Sequence, residues 1–138
     1  MSENLLTKDP SQSQKSNARP IELPGATMIK LEALDRGVLL ITYDVPGESV
    51  NTLQEKTGEE LEKAINLFEN DPTFRAAVLI SGKADSFVAG ANIDMLAACK
   101  VAEDAEKLCR GAIAGFDRLS KLRKPVVAAV HGAAVGRA

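Results

Sequence analysis

Val38-Leu-Leu-Ile-Thr-Tyr43, the helically spaced Leu61, Ala64, Ile65 and Phe68, and Ala76-Ala-Val-Leu-Ile80 follow one another in that order, and they read as strand, helix and strand. The first run is apolar and β-branched and is closed by Pro46-Gly47. Asn51 and Thr52 offer helix caps, and Glu55 completes a capping box with Thr52. A helix over about 53–69 follows, stopped by Asp71-Pro72. The last run is short and continuous and ends at Ser81-Gly82, which suits a strand buried on both faces of a sheet. A βαβ step of this kind predicts parallel pairing with a right-handed crossover.

Working outward, Met28, Leu31 and Leu34 lead to Gly37, so a further strand is predicted to join Val38 tightly through Asp35-Arg-Gly37. Residues 1–26 are rich in Ser, Gln, Asn, Lys and Pro and bury too little to offset ordering entropy, which predicts a disordered tail before a folded unit over 27–138. On the other side, a short helix is predicted near 93–99. A longer one is marked by Val101, Ala105, Leu108, Ala112, Phe116, Leu119 and Leu122 and ended by Pro125. Val126-Val-Ala-Ala-Val130 reads as another buried strand before the turn His131-Gly132. The order β-β-α-β-α-α-β predicts the α/β class: a parallel or mixed sheet with helical cover.

Composition narrows the function. A chain of 138 residues, 45% of them hydrophobic, has the size and aliphatic content of one domain. Its 17 basic and 19 acidic residues leave a net charge of -2 without a basic stripe, which argues against nucleic acid as a partner. Two cysteines and one histidine cannot build a disulfide framework or a zinc quartet, so Cys99 and Cys109 read as buried, reduced thiols and no metal is expected. No run approaches the roughly 20 apolar residues of a membrane span, and the N-terminus lacks the layout of a signal peptide. Glu3 and Asp9 speak against a transit peptide, so a cytoplasmic protein is expected. There is no Gly-x-Ser-x-Gly elbow, phosphate loop or Gly-x-Gly-x-x-Gly fingerprint, and neither NAD nor any other cofactor is implied.

In open α/β sheets ligands collect beyond the carboxyl ends of the strands, which directs attention to the segments after Ile80 and after Val130. In the first, Gly90 stands between two alanines just before a helix can start at Asn92 or Ile93. Such a turn either exposes backbone N–H groups that can hold an anionic oxygen or simply packs a helix compactly on a sheet, and spacing does not decide between the two. Asp94 reads as a first-turn acid favourable to the helix dipole, and His131 as a residue that fixes the backbone of its turn; neither these nor Asp85 stands out as a general base.

Phe87-Val-Ala-Gly-Ala-Asn-Ile93, Val45-Pro-Gly-Glu-Ser-Val-Asn-Thr-Leu53 and Lys124-Pro-Val-Val-Ala-Ala-Val-His-Gly132 resemble, in the right order, three segments of the crotonase (enoyl-CoA hydratase/isomerase) superfamily, and the resemblance covers residues 28–136. Asn51-Thr-Leu53 and the run from Asn92 to Lys100 are most similar to the branch formed by the hydratase domains of fatty acid oxidation complex α subunits. The resemblance implies that the Ala91 N–H is one donor of an oxyanion hole for a coenzyme A thioester, the substrate. Ala89, Asn92, Ile93, Ala133 and Val135 would lie along that substrate, with Glu48, Ser49 and Val50 on its other side. Asn92 stands where the family has Asp, and Asn caps helices equally well.

The family continues His-Gly-x-x-x-Gly-Gly-Gly-x-Glu, whereas this chain reads His131-Gly-Ala-Ala-Val-Gly-Arg-Ala138. The second oxyanion donor would fall on Arg137, whose long side chain hinders close approach. The family's first catalytic glutamate would come two residues after Ala138, and the second later still. The expectation is therefore an incomplete crotonase-like fold, a truncated N-terminal piece of a domain that hydrates 2-enoyl-CoA, or shifts its double bond, in fatty acid β-oxidation. Turnover should be absent or residual, and an altered reading frame or early stop is the expected origin. A non-catalytic fragment that binds acyl-CoA or a subunit is the rival expectation. Homo-oligomers, trimeric or hexameric, or a β-oxidation partner subunit are the associations the resemblance implies.

Overall fold

The structure, a computed structural model, describes residues 17–136. In chain order its elements are β1 (Arg19–Ile21), β2 (Ile29–Leu34), β3 (Val38–Tyr43), α1 (Glu55–Asn70), β4 (Ala76–Ser81), β5 (Ser86–Ala89), α2 (Ile93–Ala97), α3 (Ala102–Ser120), β6 (Val126–Ala128) and β7 (Ala133–Val135). A five-stranded mixed sheet runs β1-β2-β3-β4-β6, and β5 and β7 pair in a second, two-stranded sheet. β2 and β3 form an antiparallel hairpin in which Leu34 faces Val38 across a 3-10 turn at Asp35–Gly37. β3, β4 and β6 are parallel, as the strand–helix–strand pattern predicts.

Alternation along the hairpin places the core. Ile29, Leu31 and Ala33 of β2 and Leu39, Ile41 and Tyr43 of β3 turn to one face, where Ala64 and Phe68 of α1 join them in one buried cluster. Leu31, Leu39 and Phe68 are fully buried, and each such side chain contributes about 1.5–3 kcal/mol relative to exposure. The Glu60 carboxylate, also buried, accepts the N–H groups of Thr27 and Met28 and so ties α1 to the start of β2. Opposite it, the Tyr43 hydroxyl donates to the Thr52 carbonyl (2.5 Å) and pairs with the Thr57 hydroxyl (2.9 Å). α1 begins at Glu55, two positions too late for Thr52 to cap it, so the expected Thr52–Glu55 capping box does not form. The helix is instead capped at Gln54, whose N–H donates to the Thr57 hydroxyl at 3.0 Å.

Lys124 closes the other end of α1. Its ammonium donates to the carbonyls of Phe68 (2.6 Å) and Asp71 (2.9 Å) and lies 5.1 Å from the centre of the Phe68 ring. A cation therefore meets both the negative end of the helix dipole and an aromatic face. Arg118 of α3 reaches Asn66 and Glu69 of α1 and holds the two helices side by side.

Several expectations are corrected. The tail expected over residues 1–26 contains β1, which pairs with β2 through Arg19↔Ala33 and Ile21↔Leu31; Ile21 and Leu23 gain partial burial against the core, which the polar composition around them obscured. Residues 1–16 lie outside the described residues. β6 has three residues rather than five and its surroundings are open, with Val127 58% and Val130 56% exposed. β4 is half-buried over most of its length rather than covered on both faces. α3 has the predicted periodicity but no buried residue, and Ile113 and Phe116 are exposed. Cys109 is exposed and Cys99 half-buried, because α3, which carries Cys109, and the segment after α2, which carries Cys99, lie at this open side and not in the core. Among the described residues no helix is long and apolar enough to cross a membrane.

Replacing Lys124 by Met keeps the aliphatic stem but removes the donor to two helix-end carbonyls. We expect a loss of about 1–2 kcal/mol, read as a lower urea midpoint at constant slope; an unchanged midpoint would show the contact to be idle. Burial raises the Tyr43 hydroxyl pKa above its ordinary 10.0, against the opposing effect of the Thr57 hydrogen bond and with help from the Glu60 charge. The unfolded chain then releases this proton first as pH rises, so the Tyr43 contribution to stability is whole below pH 10.0 and is lost above it. Urea titrations across that range should show a steeper alkaline decline for the wild type than for Tyr43→Phe.

Candidate active site

The carboxyl ends of β3 and β4 are joined by one side chain. Asn51 is wholly buried, and its carboxamide nitrogen donates to the Tyr43 carbonyl (3.0 Å), the Ser81 hydroxyl (2.9 Å) and the Phe87 carbonyl (3.1 Å). Its Oδ1 accepts the Val45 N–H at 2.9 Å. Ser81 extends the network by donating to the Ser86 carbonyl (2.6 Å) and accepting the Lys83 N–H (3.0 Å). Asn51 is thus a buried junction and not the helix cap expected of it. Nothing in the sequence separates the two roles, since an Asn ahead of a helix serves either.

The backbone beside Asn51 then grips the turn after β5. The Ala89 N–H donates to the Asn51 carbonyl (2.7 Å), the Leu53 N–H to the Gly90 carbonyl (2.8 Å), and the Asn92 N–H to the Leu53 carbonyl (2.9 Å). The last two bonds form a parallel bridge between Leu53 and Ala91. In such a bridge the residue flanked by the two bonds makes neither of them, so the Ala91 N–H is turned away from Leu53. Among the described residues it has no hydrogen-bond partner, and Ala91 is exposed. Gly90 reaches this conformation at φ 85°, and on its far side Gly136 comes so near that a Cβ on Gly136 would lie 2.9 Å from the Gly90 Cα. A main-chain donor at the mouth of a turn, backed by two glycines, can receive an oxygen that gains negative charge.

The helix after the turn adds little to that. α2 has only five residues, and its Asn92 cap accepts the Met95 N–H at 2.9 Å, so the capping expected of Asn92 is met internally. The donor of interest is the N–H of Ala91 rather than a helix end. Ala89 pairs with Val135, and Ser86 with Ala133, which sets both β7 residues beside the turn strand. Ile93 is 79% exposed just beyond it. Glu48, Ser49 and Val50 form the exposed loop leading into Asn51, and so enter the turn from the side of β3. Arg137, where a second donor was expected, lies outside the described residues. The His131 Nε2 donates to the Lys83 carbonyl at 2.6 Å, fixing the backbone as expected. Asp85 and Asp94 are both exposed. No cluster of three or more His, Cys, Asp or Glu suited to a metal occurs among the described residues. The Ser86 hydroxyl is buried and, among the described residues, without a partner. β5 and β7 went unread in the sequence because each is too short to show a period; the paired Ala-Gly-Ala and His-Gly signals located only the turns at their ends.

Comparison with known proteins bears on the family and the fold. The sequence model of enoyl-CoA hydratase/isomerase matches residues 33–137. The fatty acid oxidation complex subunit alpha of Idiomarina loihiensis is 49% identical over 106 residues, which are 77% of this chain and 15% of that protein. That of Shewanella sp. strain W3-18-1 is 50% identical over 102 residues, 74% of this chain and 14% of the relative. The chain therefore spans about one seventh of the length of these curated relatives. Among solved structures, an enoyl-CoA hydratase from Geobacillus kaustophilus superposes with a TM-score of 0.73 at 17% identity over 83% of this chain and 41% of its own. One from Mycobacterium smegmatis gives 0.69 at 28% identity over 78% and 41%.

Gly132 and Gly90 both hold positive φ, yet only at Gly132 (φ 62°) would a Cβ overlap backbone, the carbonyl of Asp85. Gly90→Ala should lose about 1–2 kcal/mol from its conformation alone. Gly132→Ala must also displace the strand pairing and should lower the melting temperature further; equal losses would mean that the Asp85 contact yields easily. Ser86→Ala removes an unpartnered hydroxyl and should be neutral within about 0.5 kcal/mol or stabilising.

Proposed function

The chain belongs to the enoyl-CoA hydratase/isomerase family, and we propose that it binds a coenzyme A thioester with the Ala91 N–H on the thioester oxygen. The observation that carries this is the Leu53–Ala91 bridge, which spends the neighbouring N–H groups on the protein and leaves that of Ala91 facing outward. As water adds to a 2-enoyl thioester, or as its double bond shifts, negative charge accumulates on the carbonyl oxygen. A donor fixed beforehand stabilises that charge without reorganising, and one such donor supplies roughly 2.7–4 kcal/mol in other enzymes. Ala89 would lie beside the coenzyme, with Glu48, Ser49 and Val50 along its other side, and Asn92, Ile93, Ala133 and Val135 would also line the substrate. Arg137 would carry the second N–H.

The parent reaction, as the names of the relatives suggest, is the hydration or isomerisation of enoyl-CoA in fatty acid oxidation. It needs a carboxylate to activate water and another to move the α-proton, each worth ~10²–10⁴-fold. Of the titratable groups beside the turn, Asp85 and Asp94 are exposed and His131 is bonded to the Lys83 carbonyl, so none of them is held in place as a general base. We therefore assign the 138 residues thioester binding with little or no turnover. The open apolar side chains of Ile113, Phe116, Val127, Val130 and Val135 support a second reading, a fragment that associates with a subunit or with copies of itself.

Two measurements on the purified chain separate these. A saturated acyl-CoA at about 100 times its Kd should stabilise the fold by about 2.7 kcal/mol, seen as a raised melting temperature. A short 2-enoyl-CoA should keep its conjugated-thioester absorbance in the presence of chain shown to be folded by circular dichroism. Loss of absorbance well above background would overturn the assignment and make Asp85, Asp94 or His131 the base. A melting temperature indifferent to acyl-CoA, with concentration-dependent self-association, would favour the second reading.

A further inference from the structure

Resting on that assignment of the Ala91 N–H, we infer that Asn51 is the residue that positions it, acting entirely through backbone. Asn51 is 0% exposed and cannot touch a ligand, yet the hydrogen bonds that hold the turn on its inner side are made by it and by Leu53, two residues on. Its side chain holds the Phe87 carbonyl (3.1 Å), its carbonyl holds the Ala89 N–H (2.7 Å), and two residues on, Leu53 holds the Gly90 carbonyl and the Asn92 N–H. The direction of the Ala91 N–H is set by those last two bonds. Where Leu53 lies is set in turn by the Asn51 carboxamide, which locks its own segment to Tyr43, Val45 and Ser81.

Only an amide meets this demand. The site presents two carbonyl oxygens and a hydroxyl to the nitrogen and one N–H to the oxygen. An aspartate of the same shape keeps the Val45 bond and sets a second oxygen against the Tyr43 and Phe87 carbonyls. A serine-to-alanine change at Ser81 is gentler. It removes one acceptor of the carboxamide, the bond from Ser81 to the Ser86 carbonyl and the acceptor of the Lys83 N–H, and deletes no apolar side chain of the core.

The test compares affinities for acetyl-CoA and for S-ethyl-coenzyme A, a thioether that lacks only the thioester oxygen, in the wild-type chain, Asn51→Asp and Ser81→Ala. The wild type should prefer the thioester about tenfold, equivalent to about 1.4 kcal/mol. Both variants should lose most of that preference while their thioether affinity changes less than twofold. Ser81→Ala carries the comparison alone if Asn51→Asp does not fold by circular dichroism. Folded variants that keep the preference, or lose affinity for both ligands equally, would overturn the inference and leave Asn51 a packing residue. A wild-type chain that binds both ligands with equal affinity, or neither, would overturn the assignment of the Ala91 N–H itself.

Discussion

A carboxamide taken out of water must find a partner for each polar atom, and in this fold the Asn51 side chain finds four, drawn from three segments distant from its own strand neighbours in different degrees: the end of β3 and the loop after it, the end of β4, and β5. Each bond is worth only about 0.5–1.5 kcal/mol net, but a buried group left unpaired costs about 1–3 kcal/mol, so loss of the carboxamide, whose two N–H groups serve three acceptors, would strand several polar groups at once. This concentration of partners makes one residue decisive for how β5 stands against the main sheet. The hydrophobic core cannot do the same work, because apolar contact is nearly indifferent to direction. Burial of Leu31, Leu39 and Phe68 brings the layers together, and the amide sets their alignment.

The molecule is consequently firm on one side and open on the other. Around α1, buried polar groups are matched: Glu60 to the Thr27 and Met28 N–H groups, Tyr43 to Thr52 and Thr57, Lys124 to the helix-end carbonyls. Around α3, β6 and β7, apolar side chains meet water, and the helix is attached by Arg118 and by the short contact of its last turns with α1. The turn that carries Ala91 lies between these regions, held on its inner side by residues 51–53 and approached on its outer side by Gly136.

The parts of the fold legible in the sequence were those whose period repeats often enough to be seen. The hairpin β2–β3, the helix α1 and the strand β4 emerge from alternation and helical spacing because each spans at least six residues with one face committed to the core. β1, β5 and β7 have three or four residues and no period. The open environment of α3 and β6 was illegible for a different reason: amphipathic spacing reports which face is apolar and is silent on whether anything covers it. At the site, the motif around Gly90 marked the turn and Ala91 within it, while Asn51 was read as a cap. Its true role depends on Ser81 and Phe87, thirty and thirty-six positions away, and no local pattern encodes that meeting.

On the proposed assignment the reacting contact is a main-chain N–H, which places the sequence requirements of the site elsewhere. Ala91 must only be small enough to leave its own N–H accessible, and Asn92 serves as a cap as well as Asp does, so variation at these positions is cheap. The strict demands fall on Gly90, which alone reaches φ 85° without strain, and on Asn51, which holds the turn without facing the ligand. Such a division separates chemistry from support: the donor is present in any residue but proline at position 91, and what the sequence encodes is its direction. On that assignment, a change that leaves every proposed lining side chain intact removes the preference for a thioester, whereas a change in the lining alters which acyl group fits and leaves that preference in place.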